Sequence, residues 1–152
     1  MEALLRERLI GAWSLVDVVE EPLDGSPQRW PHGERPIGLI LYTPDGYMSA
    51  QIMTRDRGAI RSPDWSDLSD EDYAEEARGY FAYSGSYEVD EPAGTVTHSV
   101  QVALFPGWVG SEQVRVAKLD GDALVLSTAS PVLSGEKLVT TRLSWMRAEP
   151  RP

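Results

Sequence analysis

The chain has 152 residues, a formal net charge of −10, and neither cysteine nor asparagine. That length suits one domain spanning residues 1–152 with a respectable core, and the absent residues exclude disulfides, cysteine-ligated zinc, thiolate nucleophiles and glycosylation sequons. The acidic balance, with Lys and Arg scattered along the chain, argues against nucleic acid as a partner, because phosphate neutralisation needs clustered cations.

The opening "MEALLRERLIGAW" mixes charge into its apolar residues and lacks the continuous apolar core of a signal peptide. No run is long enough to span a bilayer, so a soluble cytoplasmic protein without membrane association is expected. Alternating apolar and polar residues then predict strands over Gly11–Val19, Ile37–Thr43, Gly46–Thr54, Phe81–Val89, Thr95–Phe105, Glu112–Leu119, Ala123–Ala129 and Leu138–Arg147. The links "TPDGY", "DEPAG" and "DGD" carry the Gly, Pro or Asp of tight reversals, so neighbouring strands should be antiparallel.

Two stretches interrupt this meander. "EEPLDGSPQRWPHGERP" should be a long loop after the first strand, a flap with Trp30 and His32 near its tip. "RDRGAIRSPDWSDLSDEDYAEEARGY" contains the one convincing helix, Ser69 to Tyr80, with Ser69 as N-cap and acidic residues in the first turn. The fold class that follows is all-β: a closed up-and-down antiparallel barrel of about eight strands, its last strand returning to the first, with one short helix covering an end.

The segment "GTVTHSVQVALF" poses a chemical question. Its alternate residues are Val96, His98, Val100, Val102 and Leu104, an apolar row interrupted by a titratable group. His98 is either a core histidine satisfied by a neighbour or a cavity-lining acid or base. In the preceding strand Tyr83 and Tyr87 share the parity of Phe81 and Val89, and antiparallel pairing could bring them beside His98. Arg115 in "VRVAKL" has an open parity; pointing inward, it would bind an anionic or enolic oxygen. Tyr47, Ser49 and Gln51 have the same ambiguity against Met48, Ala50 and Ile52. Trp13 and Trp145 read as core. Trp30, Trp65 and Trp108 lie in loops, and one of them, with Trp108 preferred, is expected to touch a ligand.

No nucleophile elbow, Walker loop, dinucleotide fingerprint or H-E-x-x-H motif occurs. His32 and His98 have no partner at ligand spacing, and "SDLSDED" lacks the spacing and central glycine of a calcium loop. Neither metal nor cofactor is therefore expected.

The ordered stretches "LIGAWSL", "GLILYTPDGYMSA", "YSGSYEV", "VTHSV", "PGWVG", "VRVAKLDGDALVL" and "LSWMR", from Leu9 to Arg147, resemble the lipocalin-like domain family, small microbial barrels of which several accompany enzymes of specialised metabolism. The resemblance implies a barrel around one small apolar or amphipathic molecule, with no agreed catalytic set to carry over. "GAW" and "WMR" are similar to the lipocalin arrangement in which a late Arg covers an early Trp. Arg147, or failing that Arg142, is therefore expected over Trp13, contributing roughly 0.5 to 2 kcal/mol.

Two functions follow as expectations. One is a cofactor-independent isomerase or cyclase in which His98 moves a proton and Tyr83, Tyr87 or Arg115 stabilises a developing oxyanion. The other is a non-catalytic carrier or sequestering protein for the same ligand. The ligand wall is expected to include Tyr47, Met48, Phe81, Val96, Val100, Val102, Trp108 and Leu143, with Leu104 and Val139 beside them. A homodimer stays open.

Overall fold

The computed structural model describes residues 2–58 and 62–152; residues 59–61, in the second stretch that interrupts the strands, lie outside the described residues. The strands are β1 (Gly11–Pro22), β2 (Ile37–Tyr42), β3 (Tyr47–Met53), β4 (Tyr80–Asp90), β5 (Thr95–Ala103), β6 (Glu112–Asp120), β7 (Ala123–Thr128), β8 (Val132–Ser134) and β9 (Lys137–Arg147). Neighbours from β1 to β7 pair antiparallel in sequence order; β7 then pairs with β9, and β9 returns to β1. Eight strands thus close the barrel, and none of the eight is an edge strand of an open sheet. β8 is a short hairpin on β9, hidden in the sequence because three residues carry no readable alternation.

The tight links work as their composition dictates. In "TPDGY" Gly46 takes φ +96°, a left-handed conformation that costs glycine little, and the Thr43 amide donates to the Tyr47 carbonyl at 2.8 Å. The main helix, α2, runs from Asp70 to Arg78. Ser69 caps it by accepting from the Asp72 amide at 3.1 Å, and the chain leaves the helix at Gly79 so that Tyr80 can open β4.

A further helix, α1 (Leu5–Leu9), plugs the far end of the barrel. At five residues it is too short to hold itself, and the remote Glu91 carboxylate caps it by accepting from the Leu5 and Arg6 amides at 2.8 and 2.9 Å. Beneath it Leu9 and Trp13 are fully buried, and the Trp13 indole donates to the Leu9 carbonyl at 2.9 Å. The Arg147 guanidinium lies 4.1 Å from the Trp13 ring centroid.

Two bulges change which residues face inward. In β1 the pairing steps from Leu15 to Asp17, leaving Val16 extra and turning Val18 and Glu20 into the barrel. In β5 Gly85 faces Val100 while Ser84 faces Val102, so Gln101 is extra. Gly85 is required there: a Cβ on it would lie 1.8 Å from the Ser99 carbonyl oxygen.

Candidate functional site

His98 sits in the middle of the barrel with only 1% of its surface exposed. Its Nε2 is 2.7 Å from the Tyr42 hydroxyl and its Nδ1 is 2.6 Å from the Tyr83 hydroxyl. A neutral imidazole has one N–H and one lone pair, so one tyrosine donates to the ring and the other accepts from it. Tyr42 is fully buried, and its hydroxyl has no other partner among the described residues. Were it the acceptor, its own hydrogen would be stranded, at a cost of about 1–3 kcal/mol. Tyr83 is buried as well, but it lines a cavity whereas Tyr42 does not, so Tyr42 donating to Nε2 and Nδ1–H donating to Tyr83 is the arrangement that leaves the spare hydroxyl hydrogen beside the cavity rather than in the core. The Tyr83 hydroxyl hydrogen is then left free for another acceptor.

The electrostatics keep this chain neutral. Burial, reinforced by the Arg115 cation, lowers the His98 pKa to about 3. Burial raises both Tyr42 and Tyr83 above the usual phenol value, with Arg115 opposing the rise in each.

Above this network, at the end opposite α1, lies a cavity of about 410 Å³. Phe81, Trp108 and Leu143 are among its apolar lining residues, with the Phe81 and Trp108 rings 4.8 Å apart. Tyr83, Gln113 and Arg115 add polar groups to the same lining. The open parity in β6 is resolved: Val114 is exposed, and Arg115 turns inward, donating to the Val114 carbonyl at 3.2 Å and the Gln113 Oε1 at 3.4 Å.

The long loop after β1 reaches this cavity and is tied down. Glu20 and Arg29 exchange two backbone hydrogen bonds of 2.8 and 2.9 Å. The Arg29 guanidinium also meets the buried Glu20 carboxylate at 3.2 Å and donates to the Ser134 carbonyl at 2.9 Å. His32 consequently lines the cavity, edge-on to Phe81, and burial lowers its pKa despite the opposing Glu20 charge. Trp30 at the same loop, and Trp65 at 83% exposure, do not line it.

The structure brings together Tyr83, Arg115, Phe81, Trp108 and Leu143 on one cavity wall. Other sequence expectations need correction. His98 is not on that wall; it reaches the cavity only through Tyr83. Tyr87 belongs to the closed end, where its hydroxyl donates to the Thr43 carbonyl at 2.7 Å and Arg6 lies over its ring. Met48, Val96 and Val100 are packed core, and Val139 is buried away from the cavity. Tyr47 is 51% exposed because β3 turns Met48, Ala50 and Ile52 inward. Val102, 61% exposed, and Leu104 face outward because Gln101 reverses the alternation.

Sequence reasoning missed Tyr42 and Glu20, while Gln113 shared the open parity of Arg115. Tyr42 lies on β2 and meets His98 of β5 across the barrel, a contact that pairing between adjacent strands does not reveal. Its parity with the buried Ile40 was the available signal.

A family model described as a lipocalin-like domain matches residues 10–148. The chain is also 38% identical, over 95 residues, to the 4'-hydroxy-3'-methoxypropiophenone carrier protein of Aspergillus oryzae, an alignment covering 58% of this chain and 86% of that relative. With the closed barrel and its matched span from β1 to β9, the chain belongs to the lipocalin-like domain family.

Proposed function

We propose that the protein is a carrier that holds one small amphipathic molecule, apolar or aromatic over most of its body and bearing an oxygen acceptor. The observation that carries this reading is the 410 Å³ cavity, lined by apolar Phe81, Trp108 and Leu143 together with polar Tyr83 and Arg115. Its volume falls within the usual range for small-molecule sites. The relative's ligand, as its name gives it, is an aryl ketone, a molecule of this kind.

A cofactor-independent isomerase or cyclase is the second reading, favoured by one observation: Tyr83 both lines the cavity and bonds to His98. Against it, general acid–base catalysis is most effective when the pKa lies near the working pH, whereas His98 is held near 3 with both nitrogens engaged.

Calorimetric titration with 4'-hydroxy-3'-methoxypropiophenone, followed by chromatographic recovery, separates the readings. A carrier of this class binds one equivalent and returns the ketone unchanged, and Leu143→Trp, which fills the cavity, abolishes binding. Conversion of the ketone by the parent but not by His98→Gln would establish the enzyme reading. No binding at all would remove the aryl-ketone carrier.

A further inference from the structure

Resting on the carrier reading, the polar groups that line the cavity narrow the ligand class. We infer that the site is built for an anionic oxygen, a carboxylate, sulfonate or ionised enol or phenol, held between the Arg115 guanidinium and the free hydroxyl hydrogen of Tyr83.

The charges on the wall support this. Four titratable side chains besides the tyrosine line the cavity: Glu20, His32, Arg78 and Arg115. The Glu20 carboxylate meets Arg29 at 3.2 Å, and Arg78 meets Glu75 at 3.0 Å. His32 is pushed toward its neutral form by burial. Of the three formally charged side chains lining the cavity, Glu20, Arg78 and Arg115, Arg115 is the one with no carboxylate within salt-bridge distance among the described residues. Its guanidinium carries five N–H groups, of which two are used on the Val114 carbonyl and the Gln113 amide oxygen. Arg115 is thus a half-buried cation at the cavity without a counter-ion of its own, which a ligand anion would supply.

The neutral tyrosine–histidine chain is the second, independent element. Tyr42 fixes the His98 tautomer, and His98 in turn occupies an acceptor lone pair of Tyr83. With Tyr83 lining the cavity, its remaining hydroxyl hydrogen would give a ligand oxygen a donor beside the Arg115 cation. A neutral ketone would use the donor but leave the guanidinium unneutralised; an anion satisfies both. His98 and Tyr42 are positioning residues, since neither touches the ligand.

Two fluorescent probes with a common skeleton test this: 8-anilino-1-naphthalenesulfonate, an anion, and N-phenyl-1-naphthylamine, which lacks the sulfonate. Arg115→Gln should weaken the sulfonate by about 10- to 100-fold, the worth of a charge-assisted hydrogen bond, and leave the amine within about twofold. Arg115→Lys, which restores the charge, should recover most of the sulfonate affinity. Tyr83→Phe should weaken the sulfonate by about 3- to 30-fold. Equal effects of Arg115→Gln on both probes, or none on either, would overturn the anion site while leaving the carrier reading intact. Binding of the amine without the sulfonate would do the same, whereas failure of the parent to bind either probe would overturn both readings.

Discussion

Arg147 covers Trp13: its guanidinium lies 4.1 Å from the indole centroid while donating to the Ile10 carbonyl at 3.1 Å and the Arg8 carbonyl at 2.7 Å. The last strand of the barrel is thus fastened to the first and to the carboxyl end of α1. Arg147→Met retains much of the stem but removes the cation and the donors. It should cost about 2–3 kcal/mol in urea unfolding, from the cation–π contact and the two stranded carbonyls. A loss below about 0.5 kcal/mol would show that the clasp contributes no more than an exposed surface pair.

Burial of a neutral His98 makes stability depend on pH. An unfolded-chain imidazole titrates near 6.5, and the folded one is lowered to about 3 by burial and by Arg115. Between these values the unfolded chain binds the proton and the folded chain does not, so stability is full above about pH 6.5 and falls as pH drops toward 3. The slope reaches at most about 1.4 kcal/mol per pH unit for one group. His32, lowered in the same direction, adds to it. Urea unfolding between pH 7.5 and 5 should therefore show a shallower decline for His98→Gln than for the parent. Identical slopes would mean that His98 titrates alike in both states.

Gly85→Ala should destabilise the barrel by about 3 kcal/mol or more, since its Cβ would meet the Ser99 carbonyl oxygen at 1.8 Å and backbone cannot yield as a flexible side chain does. The control is Gly58→Ala, where an added Cβ meets no atom of the described residues within 4 Å; it should stay within about 0.5 kcal/mol. Similar melting curves for both variants would show that the β5 bulge relaxes freely.

The barrel is legible because its eight strands read as strand-length apolar or alternating runs, with marked turns at "TPDGY", "DEPAG" and "DGD", and the Trp13–Arg147 clasp is what the lipocalin resemblance of "GAW" and "WMR" implies. What stayed hidden has definite causes. "VTHSVQVALF" alternates without a break, so nothing in it announces that Gln101 bulges and sends Val102 outward. In "QVRV" each parity places something reasonable inside, two valines or a glutamine and an arginine, and only the closed barrel decides for Arg115. The neighbourhood of His98 was half visible: Tyr83 lies on the adjacent β4, while Tyr42 arrives from across the barrel. The burial of Glu20 depends on Arg29, which only the folded loop brings to it.

The five tryptophans allow the carrier claim to be read at atomic level. In the amide spectrum of the ¹⁵N-labelled protein, each indole N–H gives its own signal. On titration with 4'-hydroxy-3'-methoxypropiophenone, the Trp108 signal, from the cavity wall, should shift and saturate at one equivalent, while that of the exposed Trp65 stays in place. A Trp108 signal unmoved at saturating ketone, or one that moves no more than Trp65, would mean that the barrel does not carry such a molecule in this cavity.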